Sequence, residues 1–196
     1  MNDYALRLIR ARLGPHEFGH SYAIGRRAPG QTMRIVRHLK DKGGGMTSVY
    51  PPGFKPSLED NLVTTACGVV CGYFYDRTIP GVHGNDDPKD TMYRIMAANP
   101  FDLVAESIGH PCASQSDRKA LLMLGYKLLE PSPVVKADII AAGVLGVLMA
   151  NVPAAQKIAI EIATAKTEWS RPCDWFFPRI QEWSRAFDQM EAKICA

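Results

Sequence analysis

His16-Glu17-Phe18-Gly19-His20 is the stretch that decides this chain, because H-E-x-x-H is the pattern by which one helix offers two metal-binding imidazoles and a carboxylate base. At 3.6 residues per turn, positions i and i+4 share a helix face, so both rings can converge on one ion. Zinc is the metal that suits such a pair, and His16 and His20 are the predicted ligands. Glu17 projects beside them. A carboxylate there can take a proton from a water acidified by the metal, the chemistry of peptide hydrolysis.

Working outward, Tyr4, Leu6, Leu8, Ile9 and Leu13 predict a first amphipathic helix, ended or kinked at Gly14-Pro15. Pro15 then opens a second helix through the motif to about Ile24, with Gly25 as a left-handed cap. Thr32–Leu39 and Met46–Tyr50 read as two short strands joined by a loop from Lys40 to Gly45, a small hairpin whose edge can receive an extended peptide. Gly43-Gly44-Gly45 is not a phosphate loop, since no Lys-Ser or Lys-Thr follows at that spacing.

Pro51-Pro52-Gly53 breaks the chain, and Ser57 with Asp60 then forms a capping-box signature for a helix to about Tyr75. Its Leu62, Val63, Ala66, Val69, Val70, Tyr73 and Phe74 recur at helical spacing, so it is predicted to pack on the histidine helix. Further helices are predicted from Asp86-Asp87-Pro88 to Ala98, from Ser114–Asp117 to Leu129, and as an antiparallel pair over Val134–Ala150 and Ala154–Thr167. The expected fold class is mainly α with a small β-hairpin.

All three tryptophans lie in the last thirty residues, where Trp169, Trp175, Phe176 and Phe177 precede a helix with Ile180, Trp183, Phe187, Met190 and Ile194 on one stripe. Such a stripe is core or, second, a dimerisation surface for a homo-oligomer.

With 196 residues and 46% hydrophobic content, one domain spanning 1–196 is expected, with 169–196 as an aromatic-rich helical extension. A net charge of +3, with one small basic cluster at Arg26, Arg27, Arg34, Arg37, Lys40 and Lys42, does not call for nucleic acid. Five cysteines without a C-x-x-C pair fit a reducing, cytoplasmic compartment. Cys67 and Cys71, a turn apart, read as small buried residues before they read as a second metal site. The N-terminal stretch lacks a signal-peptide core, and Lys136, Asp138 and internal glycines make Val134–Val152 a buried helix, not a membrane span.

HEFGH, a hairpin carrying Gly44, Gly45 and Thr47, and a capped apolar helix occur in an order that resembles the peptidase domain of FtsH-type metalloproteases, over roughly residues 10–168. The resemblance implies a zincin-like helical domain that binds Zn2+ and cleaves peptides or unfolded protein. It covers no ATPase module, so a stand-alone peptidase is implied, acting on flexible segments or with a separate ATPase partner. The family's third zinc ligand is an aspartate at the start of a later helix, which fits Asp117 or, as an alternative, Asp86. Asp117 is preferred because its face continues through Ala120, Leu121 and Leu124, whereas that of Asp86 continues through Lys89, Asp90 and Tyr93. His83 and His110 lie beside the two candidates as substitute ligands or loop residues. The family's glutamate after the glycine pair is missing from Cys67-Gly68-Val69-Val70-Cys71-Gly72-Tyr73. That departure supports the competing expectation, a catalytically silent scaffold that works by binding.

Overall fold

Local chemistry fixes where most helices begin. The computed structural model describes residues 3–37, 46–80, 86–111, 113–127 and 132–194. Helix α1 is Asp3–Arg27, and strands β1 (Thr32–Arg37) and β2 (Met46–Val49) follow it. Helix α2, Leu58–Thr78, starts at the predicted capping box: the Ser57 side chain accepts from the Asp60 N–H, and the Asp60 carboxylate accepts from the Ser57 N–H. Helices α3 (Pro88–Ala97), α4 (Pro100–Ile108), α6 (Pro133–Asn151) and α7 (Pro153–Thr164) each place proline in the first turn, where its missing N–H is harmless. Helix α5 is Gln115–Lys127, β3 is Glu168–Pro172 and α8 is Phe176–Ile194. The chain is thus mainly α with a small antiparallel sheet.

Four expectations change. First, α1 is one helix of 25 residues with Pro15 inside it. Proline forfeits one backbone hydrogen bond there, but α1 packs on α2 and α7, with Gly14 against Ala159, and tertiary packing holds the helix through the defect. Second, Gly25 does not cap α1, which runs on to Arg27. The last turn is held because Arg26 and Arg27 reach the buried Asp138 of α6 at 3.2 and 3.0 Å, and Arg27 also reaches Asp60 at 2.9 Å. The left-handed residue is Gly30, at φ 76°.

Third, the sheet has three strands in the order β2-β1-β3, not two. Strand β3 pairs antiparallel with β1, Ile35 opposite Trp169, so α7 stops at Thr164 and residues 168–172 extend instead of leading into a helix. An edge strand recruited from 134 positions away, Trp169 to Ile35, has no local pattern to announce it. Fourth, α4 is a separate short helix after Asn99-Pro100, which the sequence reading had not distinguished. The hairpin pairs as expected, Ile35 opposite Ser48. Its connecting loop, with Gly43-Gly44-Gly45, lies outside the described residues.

The core forms where α2 packs on α1 and α6, as the apolar spacing of α2 predicts. Gly19 of the motif explains how closely α1 and α2 approach, because a Cβ there would lie 2.5 Å from the Cys67 carbonyl and 2.6 Å from the Cys71 Cβ. Both cysteines are buried. Helix α6 is long and apolar enough to cross a membrane, and its Val135, Ile139, Ala142, Leu145 and Leu148 are buried in this core. Phe176, Trp183 and Phe187 are buried too, so the C-terminal segment contributes to the same core.

Candidate metal centre

The motif helix presents two faces with opposite duties. Phe18 is fully buried on one side, with its ring centroid 5.1 Å from Phe176 and 5.5 Å from Trp183. Burying a side chain of this size stabilises by roughly 1.5–3 kcal/mol, enough to fix the rotation of α1 about its axis. On the other side His16 and His20 stack, with ring centroids 5.3 Å apart and planes at 23°.

Glycine makes room for that stack. Gly68 of α2 lies beneath it, and a Cβ there would fall on His20 Cδ2 and within 3.2 Å of His16 Cε1. The sequence names Gly68 only within the Cys67–Tyr73 stretch, with no role of its own. Its only signal was position, on the face of α2 that meets the motif.

Asp117 is brought to the site. Its Oδ2 lies 3.7 Å from His16 Nε2, close to the roughly 3.3 Å separation of neighbouring ligands that bonds of about 2.0 Å imply around a tetrahedral ion. It also closes a capping box at the start of α5, accepting from the Ser114 N–H at 2.9 Å while its own N–H donates to Ser114 Oγ at 3.1 Å. Capping and convergence on the histidines therefore coexist in one side chain. Behind it, Leu121 is buried, while Leu124 falls where side chains are not described.

Asp86 goes elsewhere. Arg77 clasps it from two nitrogens, at 2.8 and 2.7 Å, at the C-terminal end of α2. His110 stands by α2 instead, its Nε2 3.7 Å from Asp76 and its ring against Tyr73. His83 lies outside the described residues.

Glu17 is 4% exposed and its carboxylate is held at both oxygens. Oε1 lies 3.3 Å from His16 Nδ1, and Oε2 accepts from Ser48 Oγ at 2.6 Å. Burial opposes its ionisation, but His16, His20 and Ser48 together hold its pKa below the usual carboxylate value. Burial likewise opposes charge on His16, yet the neighbouring Asp117 and Glu17 carboxylates outweigh it and raise that imidazole to about 9. His20 is pushed down to about 4, by burial first and the His16 cation second. Asp117 is held well below the carboxylate range despite burial, chiefly by His16 and Ser114. Without metal, then, one proton on His16 sits among two carboxylates and a neutral His20.

Nε2 of His16 and Nε2 of His20 are both shielded from solvent and make no hydrogen bond. A buried nitrogen left so is costly, and a cation would satisfy both. Two imidazoles and a carboxylate also match the donors zinc takes in hydrolytic sites. Among the described residues, no three His, Cys, Asp or Glu side chains meet the spacing of a ready metal site. The His16–Asp117 edge stands near coordinating separation, while the His16 and His20 rings lie stacked.

Comparison of the chain with protein-family models, with curated proteins and with solved structures returned no match.

Proposed function

We propose that this chain is a zinc-dependent peptidase with a zincin-like site, in which His16, His20 and Asp117 hold the metal and Glu17 is the general base. The observation that carries the reading is the pair of buried, unbonded Nε2 atoms one helical turn apart, with Asp117 at 3.7 Å from one of them. Zinc, when bound, supplies a Lewis acid that acidifies water and polarises a peptide carbonyl. Glu17 keeps its carboxylate ionised beside the two imidazoles, the state a general base needs. Strand β2 lies at one edge of the sheet, so an extended peptide can pair with it beside the motif helix. Substrates of this form are flexible or unfolded segments, delivered alone or by a separate ATPase, as the likeness to FtsH-type peptidases implies.

The competing reading is a silent scaffold in which His16 is an imidazolium bridging Glu17 and Asp117 without metal. That accounts for His16 but leaves His20 Nε2 buried without a partner, so the peptidase reading is favoured. Metal analysis of the purified chain and hydrolysis of labelled casein by wild type and Glu17→Gln test it. The proposal expects about one zinc per chain, chelator-sensitive cleavage, and loss of cleavage in Glu17→Gln with zinc retained. Cleavage preserved in Glu17→Gln contradicts it.

A further inference from the structure

Among the described residues, the buried positions of the sheet are Met33, Ile35, Met46, Trp169 and Ser48, and of these Ser48 alone is polar, 8% exposed and opposite Ile35. A buried hydroxyl is tolerated when it is hydrogen-bonded, so its partners explain why serine stands there. Ser48 Oγ lies 2.6 Å from Glu17 Oε2, 3.2 Å from Ser21 Oγ and 3.3 Å from the Glu17 carbonyl. A hydroxyl has one hydrogen. The shortest of these contacts, to an ionised oxygen, takes it, and Ser21 then donates to Ser48.

We infer that Ser48 is a positioning residue that ties the Glu17 carboxylate to the edge strand, so that the strand offered to a peptide also aims the base. The inference rests on the peptidase reading above. Glu17 belongs to α1 and is adjacent in sequence to His16, which meets its Oε1. Ser48 takes the other oxygen from a different element, so the carboxylate plane is fixed between helix and sheet. A peptide paired along β2 is thereby registered against the same strand that orients the base, and the two distances change together.

The test compares wild type, Ser48→Ala and Ser48→Thr, all zinc-loaded, with labelled casein as substrate. Ser48→Ala is expected to lower kcat about 10- to 100-fold, the size of one lost hydrogen bond to a charged group, with KM and zinc content unchanged. Ser48→Thr, which keeps the hydroxyl, is expected to recover most of the rate. Wild-type kcat in Ser48→Ala overturns the inference, as does an equal loss in both variants. A second measurement separates this from failure of the peptidase reading. In urea unfolding of the metal-free chain, the midpoint loss caused by Ser48→Ala is expected to shrink in a Glu17→Ala background, where the contacts of Ser48 with Ser21 and the residue 17 carbonyl remain. The same loss in both backgrounds overturns the link between the two residues whether or not casein is cleaved.

Discussion

His16 Nε2 and Asp117 Oδ2 lie 3.7 Å apart, although 101 positions separate them in the chain. The separation is produced by two independent devices: the packing of α1 that turns His16 inward, and the Ser114 box that fixes the first turn of α5. Zinc binding is therefore expected to depend on Asp117 and not on Asp86. Asp117→Asn should weaken zinc binding by about 100-fold or more, since even residues behind the ligands commonly cost 10–100-fold. Asp86→Asn should leave it unchanged and, by loosening a partly exposed pair with Arg77, cost about 0–1 kcal/mol of stability. Competition with a chromophoric chelator measures both.

Gly68→Ala should damage the site without touching a ligand. The new methyl falls on His20 Cδ2, and overpacking of this kind costs about 1–3 kcal/mol. Zinc affinity is expected to fall at least about tenfold with it. Gly109→Ala is the control, because a Cβ there meets nothing within 4 Å. Equal zinc affinity in the two variants would contradict the role given to Gly68.

Phe18 anchors the motif helix from behind. Phe18→Ala is expected to destabilise the chain by about 3–5 kcal/mol, which at this chain length is a melting temperature lower by roughly 10 °C. Calorimetry with and without zinc checks it, and a loss below about 1 kcal/mol would mean that the C-terminal aromatics do not hold the helix.

Alkali should weaken the fold through its buried phenols. Burial, reinforced by Asp138 for Tyr22, Glu106 for Tyr73 and Asp76 for Tyr75, pushes these three phenols up to about 12 from the usual 10. A raised folded pKa means that the folded chain keeps protons which the unfolded chain releases. The associated stability is whole below pH 10 and is lost as pH rises through 12. Urea midpoints should therefore drop between pH 10 and 12, with the phenolate absorbance of Tyr22, Tyr73 and Tyr75 rising late, over that same range.

What could be read in the sequence was local or periodic. The i, i+4 histidines, the Ser57–Asp60 box and the apolar spacing of α2 each carry their geometry in a few adjacent residues, and all appear in the structure. The choice of Asp117 over Asp86 rested on the apolar face behind it, and Leu121 is indeed buried while Tyr93 is 60% exposed. What could not be read was set by distant partners. Pro15 within α1 depends on packing by other helices, β3 depends on an edge offered by β1, and Gly68 and Ser48 matter only because folding brings them against His20 and Glu17.

X-ray absorption at the zinc edge of the zinc-loaded chain tests the central claim most directly. The account predicts two imidazole nitrogens at about 2.0–2.1 Å completed by oxygen ligands, with one oxygen lost in Asp117→Asn. Sulfur scatterers at about 2.3 Å, or no zinc retained by the wild-type chain, would contradict it.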